Sequence, residues 1–319
     1  MSTEISPTLH SMKHFLSVRD VGPEALSELT DLAIRRKAQI QRGEFEPMLE
    51  GKVLAMIFQK ASLRTRLGFE TAMAQLGGHA IYLEDRQIGV NKREEVKDVA
   101  RVVSSMCDAM VARVYTHQTV VELAANSSVP VINGLSDWAH PCQVLSDLMT
   151  IKEHFGEYVG RKLAFLGDGN NVSRSLISAC AGAGVHFAIA SPEGYGLDEG
   201  TVEWARSLAA KSKATVAATR DPDEAVADAD VIYTDVWTSM GQEAEREERE
   251  EAFADLQINA DLVRLAKPTA IVMHCLPANR NFEITDDVLD GPQSVVFRQA
   301  ENRLHSQRAL LEVMLTHHG

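Results

Sequence analysis

The chain has 319 residues, 45% hydrophobic and 24% charged, enough to bury the cores of two ordinary domains. Its formal charge of -13 and pI near 5.3 exclude a general attraction to nucleic acid or an anionic membrane, so a phosphate-bearing ligand must be drawn by a local arginine cluster. No apolar run approaches the roughly 18 residues of a membrane span, and the start MSTEISPTLHSMKHF lacks the basic and apolar regions of a secretion signal, so a soluble cytoplasmic protein is expected.

The first half alternates short apolar runs with longer helical patterns: GKVLAMIF, RTRLGFETAMAQLG, HAIYL, EEVKDVARVVSSM, DAMVARV, VVELAANS and PVING. These read as β-α units around a parallel sheet. A helix is expected from about His140 to Phe155, stopped by Gly156. A second series follows in RKLAFLGDGNN, GVHFAIAS, ATVAATR, DVIYTDVW and AIVMHCLP. The charged run EAEREEREEAF, 243–253, reads as a solvated helix face with acid-base pairs three or four residues apart. A last helix, about Gln299 to Leu315, carries apolar positions at Ala300, Leu304, Ala309, Leu310, Val313 and Met314 and is expected to pack back on the first domain. The fold class is thus α/β, with two doubly wound parallel-sheet domains, residues 1–150 with 299–319, and 151–298.

Cys107, Cys142, Cys180 and Cys275 are scattered without a CxxC pair or zinc-like spacing, so neither a disulfide framework nor a metal site is indicated. Ser62-Leu63-Arg64-Thr65-Arg66 follows the strand Val53 to Phe58 and opens a helix, so hydroxyls, guanidinium groups and backbone N–H groups converge where an anion binds. Arg113 ends the strand Ala109 to Val114 on the same carboxyl edge. His140-Pro141-Cys142-Gln143, at another strand-to-helix junction, offers an imidazole and an amide suited to a polarised carbonyl and a carboxamide.

Gly167-Asp168-Gly169-Asn170-Asn171 follows a strand like a dinucleotide fingerprint, but Val172 stands where the third glycine belongs and no acidic residue ends the next strand. A turn whose asparagines face a small polar ligand fits better. Asp235, with Ser239-Met240-Gly241 beyond it, offers a carboxylate for an ammonium group and a glycine-hinged loop. Cys275, in His274-Cys275-Leu276-Pro277, ends a strand; no base and oxyanion arrangement marks it as a covalent nucleophile. Arg303, in Ala300-Glu301-Asn302-Arg303, begins the last helix.

With SLRTR, HPCQ, GDGNN, DVWTSMG, HCLP and AENR in this order and spacing, the chain resembles the ornithine carbamoyltransferases over essentially its whole length. The resemblance implies a carbamoyl-phosphate-binding domain at 1–150 with the C-terminal helix, an ornithine-binding domain at 151–298, no cofactor or metal, and a homotrimer or a multiple of trimers. It implies that Ser62, Leu63, Arg64, Thr65, Arg113, His140, Gln143, Cys275, Leu276 and Arg303 bind carbamoyl phosphate. Asn171, Asp235, Ser239 and Met240 would hold L-ornithine, and Cys275, Arg64, His140 and Asp235 would carry the catalysis. Leu63 and Gly68 depart from the commoner pattern STRTR followed by a serine, and PANRN after HCLP is also unusual.

Overall fold

The computed structural model describes residues 5–90, 93–238 and 242–316. The chain forms two compact units, Met1–Met149 with Glu301–Gly319, and Thr150–Ala300.

In the first unit, β1 (Val53–Phe58), β2 (His79–Glu84), β3 (Ala109–Arg113) and β4 (Val131–Leu135) form a wholly parallel sheet in the order β2-β1-β3-β4. The central strands VLAMIF and AMVAR are buried nearly end to end, as a sheet covered on both faces requires, whereas the edge strand β2 is part exposed. Between them run α1 (Val18–Gln41, before β1), α2 (Leu63–Gln75), α3 (Val96–Met106) and α4 (His117–Asn126). The apolar stripes Val96, Val99, Ala100 and Val120, Leu123, Ala124 close the core over Ile57, Met110 and Ala112.

The sequence reading has no counterpart for α1. Ser17 and Asp20 form its capping box, and Gly22, at φ 76°, marks a kink ahead of Pro23. Its buried face runs through Leu26, Leu29, Thr30, Leu32 and Ala33 and ends in Arg36 and Lys37. Both cations meet α9 (Val296–Thr316): Arg36 Nε donates to the Glu312 carboxylate at 2.8 and 3.1 Å, and Lys37 Nζ to Asn302 Oδ1 at 2.7 Å. The last helix therefore packs back on the first unit through a buried ion pair as well as its apolar face. It starts three residues before the expected Gln299.

In the second unit, β5 (Lys162–Leu166), β6 (His186–Ala190), β7 (Val216–Thr219), β8 (Val231–Thr234) and β9 (Ile271–His274) form a parallel sheet in the order β7-β6-β5-β8-β9. It is preceded by α5 (Pro141–Phe155) and flanked by α6 (Asn171–Ala183), α7 (Glu199–Ser212) and α8 (Arg246–Phe253). The charged run corrects one expectation. Its acid-base pairs exist, Arg246–Glu250 at 2.6 Å and Arg249–Glu245 at 2.9 Å, but Arg249 and Phe253 are buried, and Phe253 packs in the unit's core beside Trp237. Among the described residues no helix is long and apolar enough to cross a membrane.

Each strand order reverses once, between β1 and β3 and between β5 and β8. In open parallel sheets such reversal points leave a crevice outside the carboxyl ends of the strands, where ligands bind.

Candidate active site

At the β1/β3 crevice, Ser62 caps α2. Its Oγ accepts the Thr65 N–H at 3.2 Å and donates to Thr65 Oγ1 at 3.0 Å. First-turn N–H groups have no acceptor within a helix and favour an anion. Leu63 is 72% exposed, and its apolar side chain carries no donor or acceptor, so any polar contact from this residue must come from its backbone.

Arg303 lies about two turns into α9, not at its start. Buried, it spans two predicted site residues, its Nη1 donating to Gln143 Oε1 at 2.6 Å and its Nη2 to Thr65 Oγ1 at 3.0 Å. Gln143 Nε2 donates in turn to Asp147 Oδ1 at 2.8 Å. Burial, then Arg303, Arg113 and Arg64 in that order, push the His140 imidazole well below the ordinary histidine range, so it is neutral near pH 7. Hydrogen bonds link Ser62, Thr65, Gln143 and Arg303, and the charges of Arg303, Arg113 and Arg64 act on His140, so these seven residues form one cluster of positive charge in a chain whose net charge is -13. Fixed guanidinium groups beside a neutral imidazole suit a phosphate joined to a polar carbonyl compound.

The β5/β8 crevice holds the second group. Asn170 caps α6, its Oδ1 accepting from Val172 and Ser173 N–H, and its Nδ2 donates to Asp235 Oδ2 at 3.0 Å. Asn171 is the first residue of α6. Asp235 Oδ1 accepts from the Cys275 thiol at 2.8 Å and from the Val236 N–H at 2.8 Å. Ser239 and Met240 lie outside the described residues.

The residues holding Cys275 were not singled out from the sequence. His274 Nδ1 accepts the Leu276 N–H at 2.8 Å, which requires the ring proton on Nε2, and Nε2 faces Glu283 Oε1 at 3.1 Å. Glu283 Oε1 also accepts from the Asn279 N–H, so the unusual PANRN segment is fastened to the same carboxylate. Leu276 has φ 55°, a left-handed backbone that a leucine keeps only when its surroundings impose it. Asp235, His274 and Cys275 have donor atoms within 4.8 Å of one another, a spacing a cation can span. Both imidazole nitrogens are already engaged, however, so coordination would have to break the clamp that holds Leu276. No signal in the local sequence marks Glu283, since its role depends on chain reversal after Pro277.

Family models match along most of the chain: aspartate/ornithine carbamoyltransferase, carbamoyl-P binding domain, over residues 13–153, and the Asp/Orn binding domain over residues 159–314. The chain is 51% identical over 303 residues to an ornithine carbamoyltransferase of Pyrococcus abyssi, covering 95% of this chain and 96% of that one. It is 50% identical to an anabolic ornithine carbamoyltransferase of Pyrococcus furiosus, over the same shares. The solved ornithine carbamoyltransferase of Pyrococcus furiosus superposes with a TM-score of 0.93 at 50% identity, covering 95% of this chain and 97% of that one. The anabolic enzyme of Campylobacter jejuni gives 0.88 at 39% identity, over 94% and 98%. Two crevices with these residues, on a fold and a sequence shared at this level, make the chain a carbamoyltransferase belonging to the aspartate/ornithine carbamoyltransferase family.

Proposed function

We propose that this enzyme transfers the carbamoyl group of carbamoyl phosphate to the side-chain amine of L-ornithine, giving L-citrulline and phosphate by direct attack. The observation that carries the reading is the Asp235 carboxylate at the β5/β8 crevice, held by Asn170 and hydrogen-bonded to the Cys275 thiol. A carboxylate there selects an amino-acid substrate with an ammonium group, where an acidic substrate would be repelled.

The first unit is the carbamoyl-phosphate-binding domain. Ser62, Arg64, Thr65, Arg113 and the first-turn N–H groups near Leu63 neutralise the phosphate as it leaves, and Arg64, Thr65 and His140 stabilise charge on the carbonyl oxygen. Gln143 has its amide nitrogen engaged by Asp147 and one carbonyl lone pair by Arg303, leaving the other lone pair to accept from the carbamoyl nitrogen. The second unit is the ornithine-binding domain, with Asn171, Asp235, Ser239 and Met240 gripping the α-amino acid head group. The neutral amine attacks the carbamoyl carbon, the carbon–oxygen bond to phosphate breaks, and the amine gives up a proton. Cys275 and Asp235 orient the amine and favour its deprotonated form, while Cys275 with Leu276 borders the carbamoyl group. A homotrimer or a multiple of trimers in the cytoplasm is the expected working state, without cofactor or metal.

A steady-state panel of ornithine, N-acetylornithine, putrescine and aspartate with carbamoyl phosphate tests the reading. Ornithine is expected to give the highest kcat/KM by a wide margin. A better rate with any of the other three overturns the assignment.

A further inference from the structure

Arg249 differs in surroundings from every other charged residue of the run 243–253 that the structure describes. It is only 6% exposed. Its Nη1 donates to Asp168 Oδ2 at 2.8 Å and to the Trp237 carbonyl at 3.1 Å, its Nε donates to Glu245 Oε2 at 2.9 Å, and its guanidinium lies over the Tyr195 ring, 5.0 Å from the centroid. Asp168 belongs to the turn after β5, and Trp237 follows β8. One guanidinium therefore ties α8 to both turns that flank the β5/β8 crevice.

Those turns carry the amine-site residues. Asp168 stands two residues before Asn170, whose side chain holds Asp235, and Trp237 stands two residues after Asp235. The segment 239–241, which contributes Ser239 and Met240 to the proposed head-group set, is bounded in the chain by Trp237–Thr238 on one side and Gln242 with α8 on the other. Arg249 binds elements on both sides of it. Burial pushes the Asp168 carboxyl up from the ordinary range, the Arg249 guanidinium opposes this, and Asp235 adds to it, so the two carboxylates are close enough to feel each other with Arg249 as the local counter-charge. A buried guanidinium is retained only when such partners compensate its desolvation.

We propose that Arg249 is a positioning residue for the amine substrate: by holding the Asp168 turn and the Trp237 carbonyl against α8, it sets Asn170 and Asp235. It touches no substrate in this role. The proposal rests on the ornithine reading.

The test is steady-state kinetics on the full-length enzyme, varying ornithine and carbamoyl phosphate separately, for Arg249→Gln, Arg249→Lys, Asp168→Asn and Glu245→Gln. Arg249→Gln and Asp168→Asn are expected to raise the KM for ornithine tenfold or more while the KM for carbamoyl phosphate stays within twofold. Lysine keeps the charge but loses the fork, and should recover part of the loss. Glu245→Gln leaves the contacts to Asp168 and Trp237 intact, so it should hold the ornithine KM within twofold. If Arg249→Gln shows no cooperative thermal unfolding, Arg249→Lys and Asp168→Asn decide the matter by the same split. An unchanged ornithine KM in the folded Arg249 and Asp168 variants, or an equal rise for both substrates, overturns the positioning role while leaving the ornithine reading intact. A wild-type enzyme that forms no citrulline from ornithine overturns both.

Discussion

Replacing Arg303 by alanine removes the guanidinium that spans Gln143 and Thr65, through bonds of 2.6 and 3.0 Å in a buried setting. Hydrogen bonds to a charged group contribute about 1.5–3 kcal/mol each, so two of them amount to about 3 kcal/mol at the lower bound. Their loss releases the Gln143 carbonyl and the Thr65 hydroxyl from the positions proposed for carbamoyl phosphate, and one of the three cations around His140 disappears. Preorganised donors of this kind are worth about a hundredfold to a thousandfold in rate. We therefore expect kcat/KM for carbamoyl phosphate to fall by about a hundredfold or more, with the KM for ornithine changing much less. Arg303→Lys retains the charge without the two-pronged geometry and should fall between alanine and wild type. The assay is initial-rate citrulline formation with each substrate varied in turn, alongside thermal melting to confirm a folded variant. If the folded alanine variant keeps kcat/KM within threefold of wild type, Arg303 is a staple between α2, α5 and α9, and its place in the carbamoyl-phosphate site is wrong.

Cys275→Ser should lower activity without abolishing it, because a hydroxyl keeps the contact to Asp235 but not the thiol's acidity; mass spectrometry of wild-type enzyme with carbamoyl phosphate alone should show no adduct, and a carbamoyl-cysteine formed and consumed at the catalytic rate would refute direct attack. Asp235→Asn should harm ornithine much more than putrescine, whose reacting amine is the same but which lacks the head group; an equal fall for both removes Asp235 from head-group recognition. Glu312→Ala should destabilise the first unit by about 3–5 kcal/mol, because Arg36 is left as a buried unpaired cation, and a chemical-denaturation midpoint within error of wild type would contradict this. Burial pushes the Asp230 carboxyl up, but hydrogen bonds from Lys267, the Lys162 backbone N–H and Arg161 outweigh it and hold the group below the ordinary aspartate range. Its stabilisation is thus fully present above the unfolded value of about 3.9 and is lost as pH falls through the lower folded value. The stability gap between wild type and Asp230→Asn should shrink from pH 6 to pH 2.5, and a gap that stays constant would refute the linkage.

The β-α alternation and the places where chemistry gathers were legible in the sequence. Strands buried on both faces must be almost wholly apolar, so VLAMIF, AMVAR and KLAFL announce themselves, and polar motifs directly after them fall on the carboxyl edge of a parallel sheet. What lay beyond local pattern were contacts between residues far apart in the chain. Arg36 and Lys37 closed the buried face of α1 with charges that resemble solvent exposure until Glu312, 276 residues away, and Asn302 are seen to receive them. Arg249 looked like one more member of a solvated run because its acceptors, Asp168 and Trp237, come from other strand ends. Nothing local to the motif marks Asn170 as a partner of Asp235, and only the pairing of β5 with β8 brings the two together. Sequence determines which residues are apolar enough to build the two sheets, because that burial follows a local period. Which polar groups are buried as well depends on a partner being present to offset their desolvation, and only the tertiary structure supplies that partner.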